Sequence, residues 1–339
     1  MAKRVVLHVG TMKSGTSYLQ AMLFAQQERL AAAGVLVPGK VWGDQVAAVQ
    51  HAISKGGPRH HWEAMTAEIN AHPGDAVISM EFLGPARPPA AARVLEPFAG
   101  TPVEIVVTAR DLNRTLVSLW QETVQNGRSW TWEDYYAAAR DAAPGSDRGH
   151  EDRATPAGTF WRQQHLVRIL GDWADRVGTD NVTLVTLPHP GAPSSTLTER
   201  FAEATGFPID PSLPVPRANE SLGLASALVL RELNEALDAH DLAWPQGQRL
   251  RKQVIAKTAL AALAKEEPRL GLQVADWVRT QTEATVAEVG NLGVRVVGDL
   301  ADLDPVDVPG ITPAEVDVAL IARAAQTALA ASVVDKLKS

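Results

Sequence analysis

The chain has 339 residues, of which 45% are apolar, and a formal net charge of −7. That length and apolar content suffice for a sizeable core, while the negative balance argues against a nucleic-acid coat. Cysteine is absent, which excludes disulfides, a thiol nucleophile and cysteine–zinc sites.

In chain order, the first apolar run is Val5–Val9, rich in β-branched residues, and it reads as a buried strand with His8 inside it as a structural residue. A loop bounded by Gly10 and Gly15 follows. An amphipathic helical pattern then places Leu19, Met22, Leu23 and Leu30 on one face. Further strands are expected at Ala76–Met80, Val103–Thr108 and Val182–Thr186, with helical patterns in most of the intervals. Such alternation implies an α/β fold: a parallel sheet with helices on both faces, in three layers. Residues 141–159 are polar and rich in Gly and Pro. They read as a loop, either a lid over an acceptor or a plain insertion. A helix is expected over 160–177, with Leu166, Ile169, Leu170 and Trp173 on one face. After a proline-rich stretch at 207–216 the pattern becomes mostly helical, at 222–240, 248–265 and 274–289. A last helix opens on the capping box Thr312-Pro-Ala-Glu315. The expectation is one domain over 1–339, with an α/β core in 1–210 and a mainly helical extension in 211–339. That extension covers an acceptor, forms a homodimer face, or is plain core. No run of about 18 apolar residues and no signal peptide is visible, so a soluble cytoplasmic protein without a membrane span is expected.

The loop carries the chemistry. Strand, glycine-bounded loop and helix form an architecture that binds phosphate, through inward backbone N–H groups and the positive end of the helix. The spacing Gly10-x-x-x-x-Gly15 is that of a Walker A loop, but Thr16 and Ser17 follow where Lys-[Ser/Thr] should stand. The lysine lies inside the loop, as Lys13. There it suits a short 5′-diphosphate-like group, with the charge near a bridging oxygen.

On these residues the chain resembles the sulfotransferases that use 3′-phosphoadenosine 5′-phosphosulfate (PAPS). Their phosphosulfate loop, K-[ST]-G-T-[ST]-x-L, is matched by Lys13-Ser14-Gly15-Thr16-Ser17-Tyr-Leu19. Residues 110–120 resemble the family's R-[DN]-P-x-x-R-x-x-S-x-[YW] pattern, with Leu112 where proline is usual and Arg114 read as the inner arginine. The resemblance implies that Arg110 and Ser118 bind the donor's 3′-phosphate, Arg110 through its planar fork of donors. It further implies that Lys13, Ser14, Gly15, Thr16 and Ser17 hold the 5′-phosphosulfate and that no metal is needed. An Arg-x-Asn-x-Ser segment at 217–221 is similar to one found in bacterial members. Capping of the following helix is its simpler role.

Sulfuryl transfer needs a stabiliser for the leaving phosphate and a base for the acceptor proton. Lys13 is the candidate stabiliser. Glu81, at the end of the second core strand beside Met80, Phe82 and Leu83, is the candidate base, with a structural salt bridge as its other role. His51 is the second candidate base. His60 and His61, beside Trp62, form a polar and aromatic cluster suited to adenine or acceptor. Along the chain the histidines show no metal-ligand spacing, so no metal site is expected. The acceptor is a small molecule, a carbohydrate or a lipid. The competing functions are a P-loop small-molecule kinase, with Asp111 as the one nearby acidic ligand for Mg²⁺, and a non-catalytic nucleotide-binding protein.

Overall fold

A computed structural model describes residues 2–144, 152–215, 222–240 and 246–338. Six strands form one all-parallel sheet: β1 (Arg4–His8), β2 (Val35–Leu36), β3 (Asp75–Ser79), β4 (Val103–Ala109), β5 (Val182–Thr186) and β6 (Arg295–Val297). Their order is β2-β3-β1-β4-β5-β6. The four expected strands are present, shifted by no more than a residue at each end. β2 and β6 span only two and three residues, too few to show a pattern in sequence.

The order reverses at β1. The chain leaves β1 to build β2 and β3 on one side and returns on the other side as β4. Register is tight: His8 lies opposite Ser79 of β3 and Val106 of β4. The carboxyl ends of β3, β1 and β4 therefore lie side by side, the place where open parallel sheets bind ligands.

The helices named here are α1 (Thr16–Ala25), α2 (Gln27–Ala32), α3 (Trp42–Ile53), α4 (His60–Ala71), α5 (Pro88–Leu95), α6 (Leu112–Gln125), α7 (Trp132–Asp141), α8 (Pro156–Gln164), α9 (Leu166–Val177), α10 (Thr196–Thr205) and α11 (Leu224–Asp238). The pleat of β1 sorts two cores. Val5, Leu7 and Val9 pack in one cluster with residues of α3, α4, α5 and α9, Trp173 among them. Val6 packs in the other with Leu19, Met22 and Leu23 of α1 and Phe201 of α10.

By its internal contacts the chain divides into two compact units. The first comprises Met1–Asp111, Arg162–Ala218 and Thr280–Asp304; the second comprises Leu112–Trp161, Asn219–Arg279 and Pro305–Ser339. The first holds the whole sheet. The 211–339 part also supplies β6, which pairs with β5. The second unit is helical. Its aromatic cluster joins Trp120, Trp132, Tyr135 and Phe160, and Asn234 donates to the carbonyls of Val124 and Arg128 beyond the end of α6.

Three expected helices differ in detail. The 160–177 pattern is two helices, because His165 caps α9, its Nδ1 accepting from the Arg168 N–H. The 248–265 pattern is a π-helix, Arg249–Ala259, followed by a 3₁₀ turn, Leu260–Leu263. The capping box at Thr312 is real, with Glu315 accepting from the Thr312 N–H at 2.7 Å, but it caps only the 3₁₀ turn Pro313–Glu315. The long C-terminal helix, Val318–Lys338, starts separately. By length and composition that helix is apolar enough to cross a membrane, an exception to the sequence expectation. Arg323 within it pairs with Glu266.

Candidate functional site

The loop after β1 is shaped by three left-handed residues: Gly10 (φ 54°), Lys13 (φ 64°) and Gly15 (φ 80°). The glycines are needed. A Cβ on Gly10 would lie 2.5 Å from Thr16 Cγ2, and one on Gly15 would lie 2.6 Å from Leu197 Cδ2. Lys13 is the one non-glycine with positive φ among the described residues. A left-handed L-residue costs about 1–2 kcal/mol, and such strain gathers at functional sites. Gly15 also precedes α1, whose first turn has no side-chain cap and no acidic residue. No carboxylate of its own first turn offsets the positive end of that helix.

A buried chain of hydrogen bonds fixes the loop from below. Ser14 Oγ donates to the Thr11 carbonyl at 2.5 Å. Its other bond, to Thr108 Oγ1 at 2.7 Å, must then be one it accepts. With its proton spent on Ser14, Thr108 accepts from His8 Nε2 at 3.1 Å. That assigns the proton to Nε2, so His8 Nδ1 accepts from Ser79 Oγ at 2.7 Å. Four bonds run one way, from β3 through β1 and β4 into the loop. His8 is fully buried, and burial lowers its pKa to about 3, so it is neutral at physiological pH. Sequence marked His8 as structural; the chain it anchors arises only from strand order. The Ser14 hydroxyl, expected on the donor, is committed to this chain, and Ser14 is fully buried.

Glu81 follows β3 in a 3₁₀ turn, Glu81–Leu83, and is 9% exposed. Gln20 of α1 donates to its Oε2 at 2.5 Å and to the Ser79 carbonyl at 3.2 Å. Gln45 of α3 accepts from the Ser79 N–H at 3.0 Å. Two glutamines from two helices thus hold the end of β3, a feature no local motif announces. Gln164 donates to the Met12 carbonyl at 2.8 Å and holds the loop from the other flank.

Arg110 lies half-buried one residue beyond β4, so Lys13, Glu81 and Arg110 follow the carboxyl ends of three adjacent strands, as expected. Asp111 is fully buried. Ser118 lies on α6 and belongs to the second unit. Arg114 is not the inner arginine. Counting from Arg110, that position falls on Thr115, which is buried, and one residue on a helix turns the side chain by about 100°. The Arg-x-Asn-x-Ser segment at 217–221 lies outside the described residues.

His51 lies near the end of α3, six residues past Gln45, about 9 Å along the helix axis from that contact with β3. Its neighbours are His60 and His61, with ring centroids 4.9 and 4.8 Å away. The spacing of the histidines in the chain gives no hint of this group.

No protein family, curated protein or solved structure matches the chain.

Proposed function

We propose that the protein is a PAPS-dependent sulfotransferase with a three-layer, P-loop-like fold. The observation that carries this reading is Lys13, held in a left-handed conformation inside the Gly10–Gly15 loop, at the point where the strand order reverses. A lysine there meets a bridging oxygen, whereas a kinase loop needs its lysine after the second glycine, where Thr16 stands.

In this reading the backbone of residues 13–17 and the start of α1 hold the 5′-phosphosulfate, and Arg110 grips the 3′-phosphate. The acceptor oxygen bonds to sulfur as the bond from sulfur to the bridging oxygen breaks. Lys13 stabilises the charge left on the phosphate. Glu81 takes the acceptor proton, its carboxylate orientation set by Gln20. Ser14 shapes the loop from within and contributes only its backbone. The acceptor is a hydroxyl or amine of a small molecule, carbohydrate or lipid.

Calorimetry with adenosine 3′,5′-bisphosphate in the presence of a chelator tests the reading. Binding is expected without metal. Arg110→Ala removes a charge-assisted fork worth about 1.5–3 kcal/mol, roughly 10- to 100-fold in affinity, and costs much less for a ligand lacking the 3′-phosphate. Binding that requires Mg²⁺ and favours ATP would replace this reading with the kinase.

A further inference from the structure

Three imidazoles meet where α3 gives way to α4. His51 lies in the last turn of α3, and His60 and His61 begin α4. The short connection 54–59 turns the chain so that one ring nitrogen from each of the three lies within 4.8 Å of the others. The His60 and His61 rings are 4.2 Å apart. All three residues belong to the first unit.

An exposed pair of histidines at a helix start is ordinary. Two observations set this group apart. A third, partly buried imidazole faces the pair, and its Nδ1 is buried with no hydrogen-bond partner. A polar atom in that state needs a ligand or a water to offset the lost hydration.

We propose that His51, His60 and His61 bind one transition-metal dication of the Zn²⁺ class, each through one ring nitrogen. The fourth coordination position is left to water. Neutral imidazole suits Zn²⁺, Ni²⁺ and Cu²⁺ and does not suit Mg²⁺ or Ca²⁺. Tetrahedral Zn²⁺ with bonds of about 2.0–2.1 Å places its ligands about 3.3 Å apart. The rings must close by about 1.5 Å from the observed limit. Both His60 and His61 are exposed and reach this by side-chain rotation. The bound ion ties the end of α3 to the start of α4 and fixes the turn between them. This site is separate in its residues from the loop at Lys13, and the proposal does not rest on the transfer reaction.

The test uses the untagged full chain, freed of metal by chelation and dialysis, and titrated with ZnCl₂ by calorimetry. One ion per chain with micromolar or tighter affinity is expected, together with a rise in melting temperature that EDTA reverses. Co²⁺ in place of Zn²⁺ should give the visible absorption of a four- or five-coordinate nitrogen site. The double variant H60Q/H61Q should lose affinity by more than about 100-fold, because direct ligands matter more than outer-shell groups worth about 10–100-fold. Both side chains are exposed, so the variant's melting temperature in EDTA should equal that of the parent, which verifies its fold. If that value falls, the single variants H60Q and H61Q and the Co²⁺ spectrum of the parent decide instead. Absence of Zn²⁺ binding, or equal binding by parent and folded variant, overturns the proposal.

Discussion

At the scale of single residues, Lys13 and His8 show opposite uses of the interior. Lys13 is held in a conformation that opposes stability. Replacing it separates strain from charge. Lys13→Ala keeps the left-handed cost and Lys13→Gly removes it, so the glycine variant should be more stable than the alanine variant by about 1 kcal/mol. Both should lose affinity for adenosine 3′,5′-bisphosphate alike. Denaturant melts and calorimetry on the pair check this, and equal stability would mean the loop relaxes around residue 13. His8 instead supports stability by staying neutral. Its folded pKa of about 3 lies below the unfolded value near 6.5. Between these values the unfolded chain binds more protons, so stability rises with pH. The contribution is full above about pH 6.5 and fades toward pH 3, at up to about 1.4 kcal/mol per pH unit. His8→Leu should flatten that slope in urea melts taken across this range. It should also cost roughly 2–6 kcal/mol, since Ser79 and Thr108 each lose a partner. The sequence marked both residues, Lys13 by its place between glycines and His8 by its place in an apolar strand. It could not show that His8 reaches β3 and β4, because that depends on which strands neighbour β1.

At the scale of elements, legibility followed length and period. The four strands of five to seven residues are readable because each is mostly apolar and is buried on both faces over most of its length. β2 and β6 are not, because two or three residues carry no period. The π-helix at 249–259 was read as an ordinary helix, since hydrophobic spacing does not distinguish the two windings over so short a span. The support of Glu81 was likewise illegible. It depends on α1 and α3 each lending a glutamine to the end of β3, and glutamine has no motif. That support makes a sharp prediction. Glu81→Gln keeps the shape and an oxygen that can accept from Gln20, but it removes the base. Donor affinity should hardly change, while turnover should fall by a factor on the order of 10² to 10⁴. Acceptor turnover with labelled PAPS, and donor binding measured separately, check it. Near-normal turnover would remove Glu81 from the mechanism.

At the scale of the whole molecule, the division into two units was not visible in the sequence. Composition suggested a cut near residue 210, whereas the chain enters the second unit first at Leu112, only two residues after Arg110. A contiguous reading cannot see a unit assembled from three separate segments. Lys13, Glu81 and Arg110, on which the proposed donor site rests, all belong to the first unit. Thermal unfolding turns this into a test. A ligand that binds only folded protein adds about 2.7 kcal/mol of stability at one hundred times its Kd. For a unit of this size, each kcal/mol raises the melting temperature by roughly 2–4 °C. Adenosine 3′,5′-bisphosphate should therefore shift the melt of the first unit by several degrees, and Arg110→Ala should remove most of that shift at the same ligand concentration.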